Sequence, residues 1–284
     1  MASTSVAIAV GVVAVALVAS AEVPKPGPLA KPVSAAQVGA PQDLVTLVTP
    51  GGKPASADVV ALGQKLFFDG RLSADGTVAC ATCHDPEKGF TDQLPTSKGI
   101  RGQKGPRNAP TVLNAMFFQT QFWDGRAGTL EDQAKLPILN PIEMGQKAPE
   151  DVVAAVAKIP EYAEAFPRLF GRAATYDDIA AAIAAYERSQ PAFDAPFDRF
   201  LAGDEKAISA AAKRGWTLFN GRGRCVSCHG VNGTRPLFTD DKFHNVGVAA
   251  HKSDFGTLAR KAGAAVTSGS TDVIDRLALE PDFS

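Results

Sequence analysis

The chain has 284 residues, of which 45% are hydrophobic and 21% are charged, and this composition is typical of a globular protein. The length is sufficient for one large domain or for two modest domains with hydrophobic cores. Because 29 Lys and Arg residues nearly balance 30 Asp and Glu residues, no basic surface indicates a nucleic-acid partner.

The N-terminal segment differs from the rest of the chain. Residues 6–19 are almost continuously apolar, and residues 19–21 (ASA) have the small-x-small pattern of a cleavage site. This pattern predicts a secretory signal peptide over 1–21, although no Lys or Arg precedes the apolar run. An uncleaved membrane anchor is the alternative interpretation. Either interpretation predicts export, to the periplasm if the source is a Gram-negative bacterium.

The remainder of the chain is predicted to be helical. Residues 22–55 are rich in Pro, Gly and Ala and predict a flexible lead-in. The first helical pattern begins at Ser56, which is suited to the N-cap, and is broken by Asp69-Gly70. Further helices are predicted from the Thr129–Asp132 capping box and over 149–159, 176–188 and 204–219. Since no run of alternating apolar residues predicts a strand, the expected fold class is mainly α.

All four cysteines lie in two C-x-x-C-H motifs. The motifs consist of Cys80, Cys83 and His84, and of Cys225, Cys228 and His229. A Cys₄ zinc site normally has its two pairs close in sequence, but these pairs are 145 residues apart. A redox dithiol needs no following histidine and is seldom duplicated. Covalent haem attachment needs all five positions, because two thiols bond the porphyrin and the adjacent histidine binds the iron. We therefore predict two covalently bound haems c, with His84 and His229 as proximal iron ligands.

An internal repeat precedes the two motifs. Gly63-Gln-Lys-Leu-Phe67 and Gly215-Trp-Thr-Leu-Phe219 each lie in a predicted helix that leads into a C-x-x-C-H loop. We expect the glycine to permit close helix contact and the Leu-Phe pair to cover a haem face. The repeat predicts two cytochrome c-like haem domains related by duplication, over 56–200 and 201–284, with the boundary near 195–204.

Two further segments make a family resemblance specific. Residues 105–126 (GPRNAPTVLNAMFFQTQFWDGR) and 130–144 (LEDQAKLPILNPIEM), with both haem motifs, resemble the bacterial di-haem cytochrome c peroxidase family. That family also contains the di-haem enzyme that matures methylamine dehydrogenase, and the likeness covers about 57–247. It implies that the N-terminal haem reduces hydrogen peroxide. It also implies that the C-terminal haem receives electrons from a small cytochrome c or cupredoxin.

The resemblance places Gln133 and Glu143 in the peroxidatic pocket. Splitting hydrogen peroxide requires one oxygen to lose a proton and the departing oxygen to gain one, which a carboxylate can relay while an amide holds the peroxide. The two positions are separated by Pro137 and Pro141, so we expect them to converge through a loop. The alternatives are a solvated loop carboxylate for Glu143 and a surface polar group for Gln133.

Three further residues receive roles from the resemblance. Trp123 would lie between the haems and carry electrons, or would be a large core aromatic. Arg126 would pair with a haem propionate, or simply with Asp124. Asn108 matches a ligand of a calcium ion between the domains, but its partners in that site come from further along the chain.

The chain departs from the family pattern at the first haem. Many members carry a histidine just before the G-x-R-N segment, which caps the peroxidatic iron in the resting oxidised state. Residues 97–103 (SKGIRGQ) contain no histidine, and Ile100 stands at about that position. Since isoleucine has no lone pair, we expect an open or water-bound sixth position that peroxide can reach without prior reductive activation.

The second departure is at the C-terminus. Only 55 residues follow His229 in the 284-residue chain, and none is methionine. Family members normally supply the second haem's distal Met or Tyr from a later segment, so we expect the C-terminal domain to be incomplete. His244 and His251 are the other histidines. Either could coordinate the second iron, but a surface or haem-edge position is the simpler expectation for each.

These observations predict a periplasmic di-haem peroxidase that reduces hydrogen peroxide to water. One alternative is a maturase-like oxidase that acts on a partner protein's side chains. Another is a non-enzymatic di-haem electron carrier with two six-coordinate irons, and a third is an inactive fragment. A high-spin ferric signal distinguishes an enzyme from a carrier. The assembly state is left open, with a homodimer as one expectation.

Overall fold

The computed structural model describes residues 23–33, 40, 54–231, 233 and 236–244, and this part of the chain is mainly helical. It contains no extended strand, only isolated bridges between loop residues. The α-helices in chain order are α1 (Ala57–Phe67), α2 (Cys80–Cys83), α3 (Leu130–Leu139), α4 (Pro149–Ala157), α5 (Pro160–Phe170), α6 (Tyr176–Glu187), α7 (Pro196–Leu201) and α8 (Ala210–Asn220). The predicted signal peptide and His251 lie outside the described residues.

Helix α6 is the centre of the N-terminal unit. Most of its side chains from Asp178 to Glu187 are buried, and α1 and α3 pack along it. The run of alanines in α6 explains this, because small side chains allow neighbouring helices to approach closely. The core is completed by aromatic and branched residues of α1, α4 and α5.

Helix α1 has the N-cap and the close contact that the sequence predicts. The Ser56 hydroxyl accepts a hydrogen bond from the Val59 N–H at 3.3 Å. A Cβ atom on Gly63 would lie 1.8 Å from the carbonyl oxygen of Ala182 in α6. Only glycine fits there. At the matching position of the repeat, Gly215 in α8, a Cβ atom would meet no described atom within 4 Å.

Helix α5 is an element that the helical patterns did not predict. It begins with Pro160 in its first turn, a position where the missing proline N–H costs nothing. Its buried Tyr162 donates a hydrogen bond to the Asp69 carboxylate at 2.7 Å, which ties α5 to the end of α1. Spacing of Tyr162 and Phe166 by four residues was the available signal for this helix.

Part of the predicted lead-in is held by hydrogen bonds. Ala30 is fully buried, and its carbonyl oxygen accepts from the Tyr186 hydroxyl at 3.1 Å and from the Gln64 amide at 2.8 Å. Residues 23–33 therefore lie against α1 and α6, although their composition predicts flexibility over 22–55. Composition failed here because the anchoring donors come from helices far along the chain.

The C-terminal unit is built on aromatic contacts. Phe197 of α7 packs against Trp216 of α8, with ring centroids 5.0 Å apart, and against Phe238 at 5.5 Å. Helix α7 therefore packs with the C-terminal unit, although it lies inside the predicted boundary over 195–204. Helix α8 begins at Ala210 rather than at 204, because the Ser209 hydroxyl caps the Ala212 N–H at 3.1 Å.

The two units meet at the loop that contains the FWDGR segment. The Gln119 N–H donates to the Asp241 carboxylate at 2.8 Å. The Phe243 ring lies over Gly125, where a Cβ atom would be 2.5 Å from the ring. Residues 119–125 therefore contact the chain that follows the second C-x-x-C-H motif.

The two repeat glycines give a matched test of the packing. We expect Gly63→Ala to lower the free energy of unfolding by at least about 2 kcal/mol, because the added carbon would meet backbone atoms that cannot move aside. Gly215→Ala is expected to be neutral or to stabilise by up to about 1 kcal/mol, since alanine is the better helix former. Thermal unfolding of both variants measures this. Equal effects at the two positions would contradict the close α1–α6 contact.

Candidate functional site

The first C-x-x-C-H motif folds as a single helical turn. In α2 the Thr82 hydroxyl accepts from the Ala79 N–H at 3.0 Å, which caps the start of the turn. The His84 N–H donates to the Cys80 carbonyl at 2.9 Å. This turn fixes the positions of both cysteines and of the His84 backbone.

The His84 ring is oriented by a backbone carbonyl. Its Nδ1 lies 3.2 Å from the carbonyl oxygen of Phe90, and the Phe67 ring packs beside it at 6.4 Å between centroids. Burial lowers the pKa of His84, although hydrogen bonding to the backbone of Phe90 and of Pro110 acts in the opposite direction. A neutral imidazole whose Nδ1–H is bound to a carbonyl presents the Nε2 lone pair, which is what an iron ligand requires.

The second motif has the same local geometry. The His229 Nδ1 lies 2.9 Å from the carbonyl oxygen of Phe238, and Phe219 packs beside the ring at 6.1 Å. Phe90 and Phe238 both have positive φ values, 61° and 56°, which turn their carbonyls towards the imidazoles. In each copy of the repeat, the Phe of the Leu-Phe pair therefore contacts the histidine of the C-x-x-C-H motif that follows it.

The two copies differ in burial. Leu66 and Phe67 of α1 are fully buried, whereas α8 has no buried residue and Leu218 is 43% exposed. His229 and Cys225 are also exposed. Among the described residues, the first site is therefore more buried than the second, which is followed by residues outside the described ranges.

The first site contains polar atoms that fit a missing group. One Glu187 carboxylate oxygen is buried and has no hydrogen-bond partner among the described residues, and the buried Ser97 hydroxyl pairs with the Cys83 thiol. Ser97 lies beside Cys83, and the Glu187 charge acts on Cys80. Orphaned polar atoms are rare in folded proteins and usually indicate an absent ligand or water. With both thiols free and His84 oriented, these residues fit a covalently attached haem.

Glu143 lies in the loop that follows α3, where its side chain is fixed by a neighbour. The Asn140 side-chain amide donates to the Glu143 carboxylate at 2.8 Å, and the Asn140 side-chain oxygen accepts from the Ile142 N–H at 2.9 Å. Burial raises the pKa of Glu143 above its ordinary value, while the Arg126 charge and the Asn140 bond oppose this. A desolvated carboxyl beside the motif suits proton exchange better than the alternative of a solvated loop residue.

Gln133 lies on α3, half a helix before the loop that carries Glu143. The structure therefore gives the two residues separate elements, a helix and a loop, as the intervening prolines predict, although Pro137 lies inside α3 rather than ending it. Gln133 is partly buried, and its amide has no hydrogen bond to any residue that the structure describes.

The FWDGR segment is organised by Asp124. Its carboxylate accepts from Arg107 and from Arg126, each at 2.8 Å, and the Arg126 guanidinium also lies 3.6 Å from the centre of the Phe122 ring. Although burial acts in the opposite direction, hydrogen bonds from the two arginines lower the pKa of Asp124. Of the two roles expected for Arg126, the structure contains the pairing with Asp124.

Trp123 is not a core aromatic, because it is 55% exposed. Its Nε1–H donates to the backbone carbonyl of Asn108 at 3.1 Å. No group of three or more His, Cys, Asp or Glu side chains within the described ranges could hold a metal ion. Asn108 as a calcium ligand therefore stays a prediction.

Ile100 is buried in the core beside the Glu143 loop. Its N–H donates to the Glu143 carbonyl at 2.8 Å, and its side chain packs against Gly145. The preceding Gly99 is in close contact too, since a Cβ atom there would lie 1.9 Å from the Ile142 carbonyl oxygen. The segment that lacks the capping histidine therefore packs against the loop that carries Glu143.

Sequence reasoning missed several residues that build this site. Asn140, Phe90, Phe238 and Glu187 were not singled out. The Asn140-Pro141 pair was a usable turn signal. The other three were not recognisable, because a backbone carbonyl and a buried helix carboxylate leave no pattern in one sequence.

Comparison with known proteins gives a consistent result. The family model described as di-haem cytochrome c peroxidase matches residues 57–206. Over 185 residues the chain is 47% identical to cytochrome c551 peroxidase of Pseudomonas aeruginosa, covering 64% of this chain and 53% of that protein. Over 203 residues it is 42% identical to the methylamine utilization protein MauG of Methylorubrum extorquens, covering 71% and 56%.

A solved structure is also similar. The crystal structure of the diheme peroxidase BthA from Burkholderia thailandensis superposes with a TM-score of 0.61 at 27% identity, covering 66% of this chain and 54% of that chain. The chain thus spans about half the length of the relatives that it matches. In the part of the chain that is described, no helix has the length and apolar character needed to cross a membrane.

Proposed function

This chain belongs to the di-haem cytochrome c peroxidase family, and we propose that it reduces hydrogen peroxide to water with electrons from a small redox protein. The observation that carries the proposal is the first site, where an oriented imidazole, two thiols and a desolvated carboxyl meet. The reaction consumes one peroxide, two electrons and two protons and releases two waters.

The residues of the first site have distinct roles in this proposal. Cys80 and Cys83 would hold the porphyrin through thioether bonds, and His84 would bind the iron. The haem, when bound, would supply a binding position for peroxide and the electrons for O–O cleavage. Glu143 accepts a proton from one peroxide oxygen and delivers it to the departing one, and the free amide of Gln133 orients the peroxide by hydrogen bonding.

The second site is proposed to be the point of electron entry. Cys225, Cys228 and His229 would hold a second haem c that receives electrons from a cytochrome c or a cupredoxin. Trp123 and the loop 119–125 lie where the two units meet, which supports a role in electron transfer between the haems. We also propose export to the periplasm after cleavage of the predicted signal peptide. Calcium binding through Asn108 and a homodimeric assembly remain proposals.

A second candidate function is oxidation of a partner protein, as expected for a maturase-like enzyme. It is favoured by the 42% identity to a methylamine utilization protein. Turnover of peroxide with a reduced small cytochrome as the only donor distinguishes the two, because a maturase would need its protein substrate for comparable rates.

The haem content is the first testable consequence. Purified protein is expected to carry two haems per chain that resist acid-acetone extraction, because thioether bonds survive it. The double variant Cys80→Ala/Cys83→Ala should keep one haem, and so should Cys225→Ala/Cys228→Ala. Pyridine haemochrome absorbance against protein concentration measures this. Pigment that washes out of wild type would contradict covalent attachment.

Glu143→Gln tests the proton relay. We expect steady-state peroxide consumption with a reduced small cytochrome to fall by about a hundredfold or more, because an amide cannot accept the proton. Glutamine keeps the size of the side chain, and the exposed Glu150 provides a matched control as Glu150→Gln. An unaltered rate in Glu143→Gln would remove this residue from the mechanism.

Arg126→Gln tests the electrostatic control of Glu143. Burial raises the pKa of Glu143 and the Arg126 charge lowers it, so loss of this charge should raise the pKa further. A base must be deprotonated, hence activity is lost as pH falls through the pKa of Glu143. The acid limb of the kcat/KM profile should therefore move to higher pH in the variant. A shift to lower pH would refute the coupling.

A further inference from the structure

Glu187 is a buried carboxyl without a partner for one of its oxygens. It is the last residue of α6, it is 7% exposed, and its Oε2 has no hydrogen-bond partner among the described residues. The proposed peroxide chemistry does not use it. A buried carboxylate is normally paired with a cation or with several hydrogen-bond donors, so the unpaired oxygen of Glu187 is unusual.

The surrounding charges stabilise an ionised Glu187 only in part. The cation that acts on it, Arg188, makes two hydrogen bonds to the Glu131 carboxylate, at 2.6 and 2.8 Å. Glu131 is itself negative and opposes ionisation of Glu187. The C-terminal end of α6 also carries the negative pole of the helix dipole. Burial, partly offset by Arg188, raises the pKa of Glu187 to about 8.

Glu187 lies beside the first haem motif. Its neighbour Tyr186 packs against Phe67 with ring centroids 5.1 Å apart, and Phe67 packs against His84. Burial raises the pKa of the Cys80 thiol, and the charge of Glu187 acts in the same direction. The carboxyl is thus electrically coupled to the place where the porphyrin would be attached.

We propose that Glu187 takes up one proton from solvent when the N-terminal haem accepts one electron and releases it when that haem is reoxidised. The inference rests on the proposed haem of this motif. The electron comes from a small donor protein, or from a chemical reductant in a titration, and the proton binds a Glu187 carboxylate oxygen. Reduction removes one positive charge from the haem, so the nearby anion loses stabilisation and becomes the stronger base.

The groups that face Glu187 allow this assignment. Arg188 lies on the same helix and is paired, Glu131 comes from α3, Cys80 comes from α2, and Tyr186 is its neighbour in α6. Cys80 carries no titratable proton once it forms a thioether. Tyr186 has a raised pKa through burial and donates to the Ala30 carbonyl, so it stays neutral near pH 8. Glu187 is the group of this set that can exchange a proton near neutral pH.

A reductive titration of the two-haem protein at several pH values tests the proposal. In wild type the equilibrium constant for reduction of the N-terminal haem should fall by about tenfold more between pH 6 and 9 than in Glu187→Gln. Glu164→Gln, an exposed glutamate on α5, is the matched control and should follow wild type. Identical pH dependence in wild type and Glu187→Gln would overturn the proposal.

A second measurement does not depend on the equilibrium constant for reduction. The infrared difference spectrum between oxidised and reduced protein should contain a band of a protonated carboxylic acid that is absent from Glu187→Gln and kept in Glu164→Gln. If the band persists in Glu187→Gln, another group binds the proton. Neither measurement needs peroxide turnover. An inactive chain that still shows the Glu187 signal would refute the peroxidase and not this proposal.

Discussion

The hydrogen bond between an imidazole Nδ1 and a phenylalanine carbonyl is the constraint on which the rest of this site depends. It occurs at 3.2 Å for His84 and at 2.9 Å for His229, and each acceptor has a left-handed backbone that aims the carbonyl. The bond selects the tautomer with a lone pair on Nε2 and fixes the plane of the ring. Without it, a C-x-x-C-H turn would hold two thiols but leave the iron ligand free to rotate.

The same hydrogen bond occurs at both motifs, but the packing around the two imidazoles differs. The two sites are also proposed to have different roles, peroxide reduction at the first and electron entry at the second. Beside His84, the packing of α1 on α6 forms a hydrophobic core, and electrostatic interactions are stronger in such surroundings than in water. Around His229 the aromatic cluster of Phe197, Trp216 and Phe238 provides contact without enclosure. The hydrophobic packing beside the first site supports the peroxide chemistry that is proposed for it.

Much of this arrangement could be predicted from the sequence. The C-x-x-C-H spacing and the Ser56 cap each express a local rule, and the structure agrees with both. The close contact expected for Gly63 is also present, although its partner, Ala182, lies far along the chain. The exposed Trp123 and the start of α8 at Ala210 depend instead on which distant residues pack against them. Helix α5 was missed because a weak apolar pattern is stabilised by tertiary contacts, such as Tyr162 with Asp69.

Two carboxyls near the first motif illustrate how burial alone does not assign a function. Burial raises the pKa of both Glu143 and Glu187, but Glu143 also receives the Asn140 amide and the charge of Arg126. These contacts favour the ionised form of Glu143. The proposed proton relay requires this, because Glu143 must accept and return a proton in each turnover. No described residue donates a hydrogen bond to the buried oxygen of Glu187. Its charge is therefore proposed to depend on the haem attached at Cys80. Glu143 is therefore proposed to exchange a proton with the substrate, and Glu187 is proposed to bind a proton when the charge of the haem changes.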